Sequence, residues 1–325
     1  MNKILIIQTA YLGDVILATS LVETIHAERP ATKIHVLLRK GNEGILVGNP
    51  HVEKVHIWDK QRAKYSHLIR IASQIRKEQF DAVFNLQRFA SAGFIAWRSR
   101  AKVRVGFAGN FFASFLTHKV EHDVDSGLHE IDRNFLLASR GDVNLKKLVG
   151  PKLFPSDADV QKVRTICTGE FYVMAPASVW FTKQLPEKKW VELILAKPEN
   201  SPVLLIGSAA DRPLIDRIIT ATGRSNVQNL AGQLTVLESA ALMAGAKRNY
   251  VNDSGPLHIA SAMNAPVTAF FCSTVPSFGF GPLSQDAVIA EVKEKLSCRP
   301  CGIHGYKACP EGHFRCGSDI SISQF

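Results

Sequence analysis

The sequence predicts an α/β chain of two doubly wound, mostly parallel domains facing a central cleft, and three observations lead there. Short apolar runs alternate with amphipathic helical segments along the chain. The alternation pauses near residue 150 and then restarts. The length, 325 residues, suits about two domains on the usual prior of roughly 150 residues each. Apolar residues make up 46% of the chain and charged residues 21%, as in a globular enzyme rather than a disordered or fibrous protein.

Residues 4–7 (Ile-Leu-Ile-Ile) form a continuous apolar run, the pattern of a strand buried on both faces. Residues 8–13 read as a loop, after which Val15, Leu17, Ala18, Leu21, Val22 and Ile25 recur at helical spacing. A strand at 34–38 completes a Rossmann-like βαβ unit. A short strand at 52–58 follows Asn49-Pro50, residues 65–77 are helical, and strands are expected at 81–86 and 102–107. A polar stretch at 151–159 separates the two halves. Beyond it the spacing predicts strands at 171–175 and 203–206, and helices at 186–195, 211–220 and 237–246. A strand ending at Asn252, a helix at 257–263 and a strand at 267–272 close the expected series. The domains are therefore 1–150 and 151–325, and their ligands belong outside the carboxyl ends of the strands.

Lys and Arg number 39 against 29 Asp and Glu, a net charge of +10 that favours anionic partners. After Met1-Asn2-Lys3 the apolar run is too short for a secretory signal, and no apolar stretch reaches the ~18 residues of a spanning helix. The expectation is a cytoplasmic protein with room for peripheral contact with the inner face of the membrane.

Three strand-to-helix loops offer chemistry. In Gln8-Thr9-Ala10-Tyr11-Leu12-Gly13-Asp14, Gly13 permits close approach, and Asp14 stands at a helix start as a cap or as a general base. In the loop from Ala177 to Pro186, Ser178 and Thr182 suit oxygen-rich anions, and Lys183 is a point charge for a phosphate or an ordinary surface lysine. The third is Asn252-Asp253-Ser254-Gly255-Pro256-Leu257-His258. Here a strand runs straight into an apolar helix whose first N–H groups and dipole form a pyrophosphate-type anion site. His258, one turn in, is either a packed residue or a ligand contact.

With these loops in this order, the chain resembles the ADP-heptose-using lipopolysaccharide heptosyltransferases, glycosyltransferase family 9. Further matching pieces are Gly48-Asn49-Pro50-His51-Val52, Arg104-Val105-Gly106-Phe107, His129-Glu130 through Arg133-Asn134, and Asn229-Leu230-Ala231-Gly232. The strongest is Asp253-Ser254-Gly255 with His258, where the family usually carries Thr at the Ser254 position. The resemblance implies a GT-B fold with the acceptor on domain 1–150 and the nucleotide-sugar donor on domain 151–325. It implies Asp14 as catalytic base, with Ser178, Lys183, Asp211, Asp253, Ser254, Gly255 and His258 at the donor. The reaction is then an inverting displacement that moves a heptose or related sugar onto a lipopolysaccharide core or lipid A acceptor, with no cofactor required. No Asp-x-Asp pair marks a divalent metal site. Arg98, Arg100, Lys102 and Arg104 are candidates for contact with the phosphorylated acceptor.

The chain departs from the family at Val179-Trp180-Phe181, which make the second loop more apolar. The tail carries Cys298-x2-Cys301-x7-Cys309-x6-Cys316 with His304 and His313 interleaved; reduced or redox-variable thiols are the main reading, and structural zinc is the lesser alternative. Alternatives are a same-fold transferase using another nucleotide sugar and glycan, or a noncatalytic nucleotide-sugar-binding protein. A nucleic-acid partner is not expected, since it leaves both αβ halves unexplained. An epimerase that grips a dinucleotide calls for Gly-x-Gly-x-x-Gly after the first strand, and residues 8–14 hold only Gly13.

Overall fold

Ile4, Leu5, Ile6 and Ile7 are all buried in a strand covered on both faces, as their unbroken apolar run requires. The same rule builds the rest of the structure, a computed structural model that describes residues 1–60, 64–141 and 145–325. The chain divides into two compact units, Met1–Phe154 and Pro155–Phe325.

The first unit runs β1 (Lys3–Ile7), α1 (Leu12–Glu28), β2 (Lys33–Arg39), β3 (Lys54–Trp58), α2 (Lys64–Lys77), β4 (Ala82–Asn85), α3 (Ala90–Arg98), β5 (Val103–Phe107), β6 (His118–Val120) and α4 (Glu130–Ser139). Its six strands are parallel in the order β3-β2-β1-β4-β5-β6. The second unit runs α5 (Asp157–Ile166), β7 (Tyr172–Ala175), α6 (Glu187–Leu195), β8 (Val203–Leu205), α7 (Arg212–Thr222), β9 (Val227–Asn229), α8 (Val236–Gly245), β10 (Arg248–Asn252), α9 (Gly255–Ala262), β11 (Val267–Phe271), β12 (Ala287–Glu291) and α10 (Arg315–Ser318). Its sheet is again parallel, β12-β11-β10-β7-β8-β9. In each sheet the winding reverses once, between β1 and β4 and between β7 and β10. That reversal is where such sheets bind ligands.

Several elements differ from the sequence expectation. The series does not close at 267–272: β12 follows as a half-exposed edge strand, although Ala287-Val288-Ile289-Ala290 is an apolar run that the sequence offered. Edge strands β6 and β9 have only three residues, too few for periodicity to register. Helix α5 starts inside the polar stretch at 151–159 and runs on to Ile166; Ser156 and Asp159 close a capping box at its start. The helix expected at 211–220 is α7, and a 3-10 turn, Ala209–Asp211, leads into it.

Each unit has its own core. Leu5, Ile7, Leu37, Trp58 and Ile75 anchor the first, while Met174, Trp190, Leu205 and Phe270 anchor the second. The tail residues Cys316, Ile320 and Ile322 belong to the second core.

One polar cluster in the first unit sets an acid limit on stability. His35 on β2 and His56 on β3 are buried, with Nδ1 of His35 3.0 Å from Nε2 of His56. Burial first, then the neighbouring histidine, pushes His56 down to about 4. Glu78 beside them is held down to about 2 by its hydrogen bonds to Lys3 and Lys54, both 2.5 Å away. His35, His56 and Glu78 bring three ligand-type atoms within 4.8 Å of one another, but those lysines already meet the carboxylate's charge. A histidine depressed in the fold binds fewer protons than in the unfolded chain between about pH 6.5 and 4. Stability is therefore lost as pH falls through that window, by up to about 3 kcal/mol for His56. Denaturant unfolding of the wild type should show this fall between pH 7 and 4.5, and His56→Gln should flatten it.

Candidate functional site

The second unit's site is built where β7 and β10 lie side by side and their loops leave in opposite directions. Asn252, the last residue of β10, is fully buried and acts as the tie. Its Nδ2 donates to the Pro176 carbonyl at 2.8 Å, and its Oδ1 accepts the Leu185 N–H at 2.9 Å. Both ends of the 176–185 loop are thus pinned to β10. The loop's 3-10 turn, Phe181–Lys183, aims the lysine at the next residue of the other strand: Lys183 Nζ lies 2.6 Å from Asp253 Oδ2. Thr274 Oγ1 donates to the same carboxylate oxygen at 2.6 Å, and Asp253 N–H donates to the Phe270 carbonyl at 3.1 Å. Asp253 is buried, and its carboxylate is both paired and hydrogen-bonded, as a buried acid requires.

Ser254 occupies the N-cap of α9 in extended conformation, yet its hydroxyl makes no cap hydrogen bond. Pro256 stands in the first turn, where a missing N–H does no harm. The helix start therefore presents N–H groups and a positive dipole end next to the Lys183–Asp253 pair. Gly255 opens the helix, and His258 is buried with its ring edge-on to Phe280, centroids 6.3 Å apart.

The remaining predicted residues of this unit are placed differently. Ser178 is half-buried on the same loop, where its carbonyl accepts Gln184 Nε2 at 2.6 Å. Asp211 stands on the loop after β8, and its Oδ2 accepts both the N–H and the hydroxyl of Ser208 at 2.7 Å. That makes it the closing carboxylate of the Ala209–Asp211 turn. Gly232 docks against this turn: its N–H donates to the Gly207 carbonyl at 2.9 Å, and a Cβ there would come within 2.7 Å of Ala209 Cβ.

Asp14 belongs to the first unit, at the third position of α1. Its Oδ2 accepts the Tyr11 N–H at 3.2 Å, as an N-terminal carboxylate does. The loop before it is held from several sides. Asn42 Nδ2 donates to the Ala10 carbonyl at 2.9 Å, and Lys60 Nζ donates to the Thr9 carbonyl at 2.8 Å. The Arg39 guanidinium lies over the Tyr11 ring, 4.9 Å from its centroid. Gln87, after β4, donates to the Gln8 side chain across the reversal between β1 and β4. Two cations against this loop, Arg39 and Lys60, make it a suitable place for an anionic ligand, with one carboxylate among them.

Sequence reasoning gave Asn252 no role of its own and missed Thr274 and a buttress from the tail. Thr182 is buried; its Oγ1 accepts the Tyr306 N–H at 2.7 Å and the Ser273 hydroxyl at 3.0 Å. Gly305, at φ +75°, leaves no space for a Cβ, which would meet Thr182 Oγ1 at 2.8 Å. Arg299 Nη2 donates to the Thr274 carbonyl at 2.7 Å. The tail therefore supports both Lys183 and Thr274 from behind. Nothing in local pattern signals these contacts, because the partners are as far apart as Thr182 and Tyr306.

All six cysteines are free thiols. In the tail, Cys298 Sγ lies 3.9 Å from His313 Nε2, and Cys301 Sγ is 3.1 Å from the Cys298 carbonyl. Burial, and then Cys301 and Cys309, push Cys316 up to about 11. Asp-x-Asp spacing does occur twice in the chain. Asp123 accepts the Asp125 N–H at 2.8 Å within a turn, and Asp157 and Asp159 lie in the first turn of α5.

Residues 68–306 match the family model for glycosyltransferase family 9 (heptosyltransferase). The chain is 26% identical to lipopolysaccharide heptosyltransferase 2 of Salmonella typhimurium over 319 residues, covering 88% of this chain and 86% of that protein. Among solved structures, a glycosyl transferase family 9 protein of Veillonella parvula superposes with a TM-score of 0.81 at 19% identity, over 89% of this chain and 85% of that one. ADP-heptose lipopolysaccharide heptosyltransferase II of E. coli gives 0.78 at 21% identity, over 96% of each chain.

Proposed function

The chain belongs to glycosyltransferase family 9, the heptosyltransferases, and from that premise we propose that it moves a heptose from ADP-heptose to a lipopolysaccharide core or lipid A acceptor with inversion at the anomeric carbon. The observation that carries the reading is Lys183 held against Asp253 at the start of α9, at the reversal of the sheet. A nucleoside diphosphate needs that combination: one fixed cation, helix N–H groups and the Ser254 hydroxyl.

In this reading the second unit takes the donor and the first the acceptor. Asp14 removes the proton of the acceptor hydroxyl as that oxygen bonds to the anomeric carbon. The bond from that carbon to the diphosphate breaks, and ADP leaves with the electron pair. Lys183 and the α9 start stabilise the charge growing on the diphosphate. Asp253 and Thr274 hold Lys183 in place, His258 backs the helix start, and Ser178 lies on the same donor loop. Asp211 contributes to the ribose only through a carboxylate oxygen not used by Ser208. The Cys-rich tail acts as a buttress through Tyr306 and Thr182, whether its thiols remain free or take a structural zinc. Contact with a lipid-anchored acceptor is taken as peripheral, from the cytoplasmic side; among the described residues no helix is long and apolar enough to cross a membrane.

The test is incubation of the purified protein with ADP-heptose and a heptose-deficient lipopolysaccharide acceptor. The expected result is ADP release together with an acceptor heavier by one heptose, its new linkage inverted by NMR. Turnover only with another nucleotide sugar would replace the donor assignment. Nucleotide binding without any turnover would make the chain a noncatalytic binder.

A further inference from the structure

Between Ala82 and Val120 the chain has no Asp or Glu, six Lys and Arg (Arg88, Arg98, Arg100, Lys102, Arg104, Lys119) and eight Phe or Trp. Some of those rings fill the core, as Phe84 and Phe107 do, but others stand in solvent. Phe111 is 82% exposed, Phe89 64% and Phe115 44%. They belong to one stripe along α3 and the return segment after β5. Trp97 lies 4.9 Å from Phe115 and 5.8 Å from Phe112, and Phe112 in turn lies 5.3 Å from Phe111.

The stripe is a built surface. Asn110 is buried and donates to the carbonyls of Gln87 and Phe89 at 3.2 and 2.9 Å, while its Oδ1 accepts the Phe112 N–H at 2.8 Å. Gly93 keeps α3 close to it, since a Cβ there would fall 2.0 Å from Asn110 Oδ1. Cations are interleaved with the rings. Arg88 adjoins Phe89, the Arg98 guanidinium lies 6.0 Å from the Trp97 ring centroid, and Arg104 Nε donates to the Phe115 carbonyl at 3.0 Å. Exposed aromatic rings set among cations, with no acid in the segment, suit a layer that is anionic at its surface and apolar just beneath.

We propose that this stripe docks the first unit on an anionic phospholipid bilayer, with Phe89, Phe111 and Phe115 entering the headgroup boundary and the arginines meeting lipid phosphates. It gives a location to the peripheral contact of the functional reading and rests on that reading for its purpose. From Phe89 the hydrogen bonds run through Asn110 and Gln87 to Gln8, at the base of the Asp14 loop. Docking here brings that loop toward a lipid-anchored acceptor.

The experiment is flotation of the purified protein with vesicles of phosphatidylcholine, with and without phosphatidylglycerol, for the wild type and for Phe89→Ser/Phe111→Ser. The wild type should float with the anionic vesicles alone and be released by high salt. The double variant should lose about tenfold or more of that partitioning, while ADP affinity and turnover on a soluble, acyl-free acceptor stay unchanged. Equal partitioning of the two proteins, or equal binding to phosphatidylcholine alone, would overturn the proposal. So would loss of turnover on the soluble acceptor, which would make the stripe part of the acceptor site. A wild-type dimer that the double variant converts to monomer in ultracentrifugation would make it an interface between copies. Vesicle binding as expected without heptosyl transfer would defeat the functional reading and leave the docking surface standing.

Discussion

Asp14→Asn lowers turnover by about 10²–10⁴-fold, the usual contribution of a positioned general base, and leaves ADP affinity at its wild-type value. The amide keeps the carboxylate's shape, and its oxygen still accepts the Tyr11 N–H at the start of α1. Only the charge at a helix N-terminus is lost, which costs about 1 kcal/mol or less. Helix α1 is buried along most of its length, so its position does not depend on that charge. The variant therefore separates the two roles its residue type allows. A cap alone predicts a small fall in melting temperature with turnover intact, and that result would remove Asp14 as the base. Single-turnover kinetics with ADP-heptose, beside calorimetric titration with ADP, decides between them.

The second large effect is expected at Lys183. Lys183→Ala should weaken ADP binding by about 10–100-fold and destabilise the fold by about 2–4 kcal/mol. The stability loss follows from Asp253, which is buried and would keep only the Thr274 hydroxyl to meet its charge. Since destabilisation alone could weaken binding, the double variant Lys183→Ala/Asp253→Asn is the discriminating one. It removes the buried charge together with its partner, so stability should recover most of the loss. ADP affinity should stay low, because the cation that Lys183 places at the helix start is gone. Recovery of both would reduce Lys183 to a structural partner of Asp253 and take it out of the phosphate site.

These residues differ in how far the sequence alone discloses them. The central strands and α1 are legible from residues 4–25, because an element buried on both faces must be apolar throughout. The start of α9 is legible as well, since Asn-Asp-Ser-Gly-Pro ahead of an apolar run is a local signal for a strand passing into a helix. Helix α5 could have been found from Ser156 and Asp159, a capping box within four residues. The three-residue edge strands β6 and β9 could not, because they are too short to show a period.

What the sequence determined by itself, then, is the alternation of strands and helices, the restart near residue 150, and the loops that hold Asp14, Lys183 and Asp253. Only the tertiary structure decided that Lys183 is paired with Asp253, that Asp211 is engaged by Ser208, and that Thr274 and Tyr306 support the site. It also decided that the basic segment 82–120 turns Phe89 and Phe111 outward. Periodicity and caps arise from contacts within a few residues, so they are written locally. Pairing of Lys183 with Asp253 depends on parallel strands that the crossovers bring together at the reversal of the sheet, and no spacing along the chain encodes that.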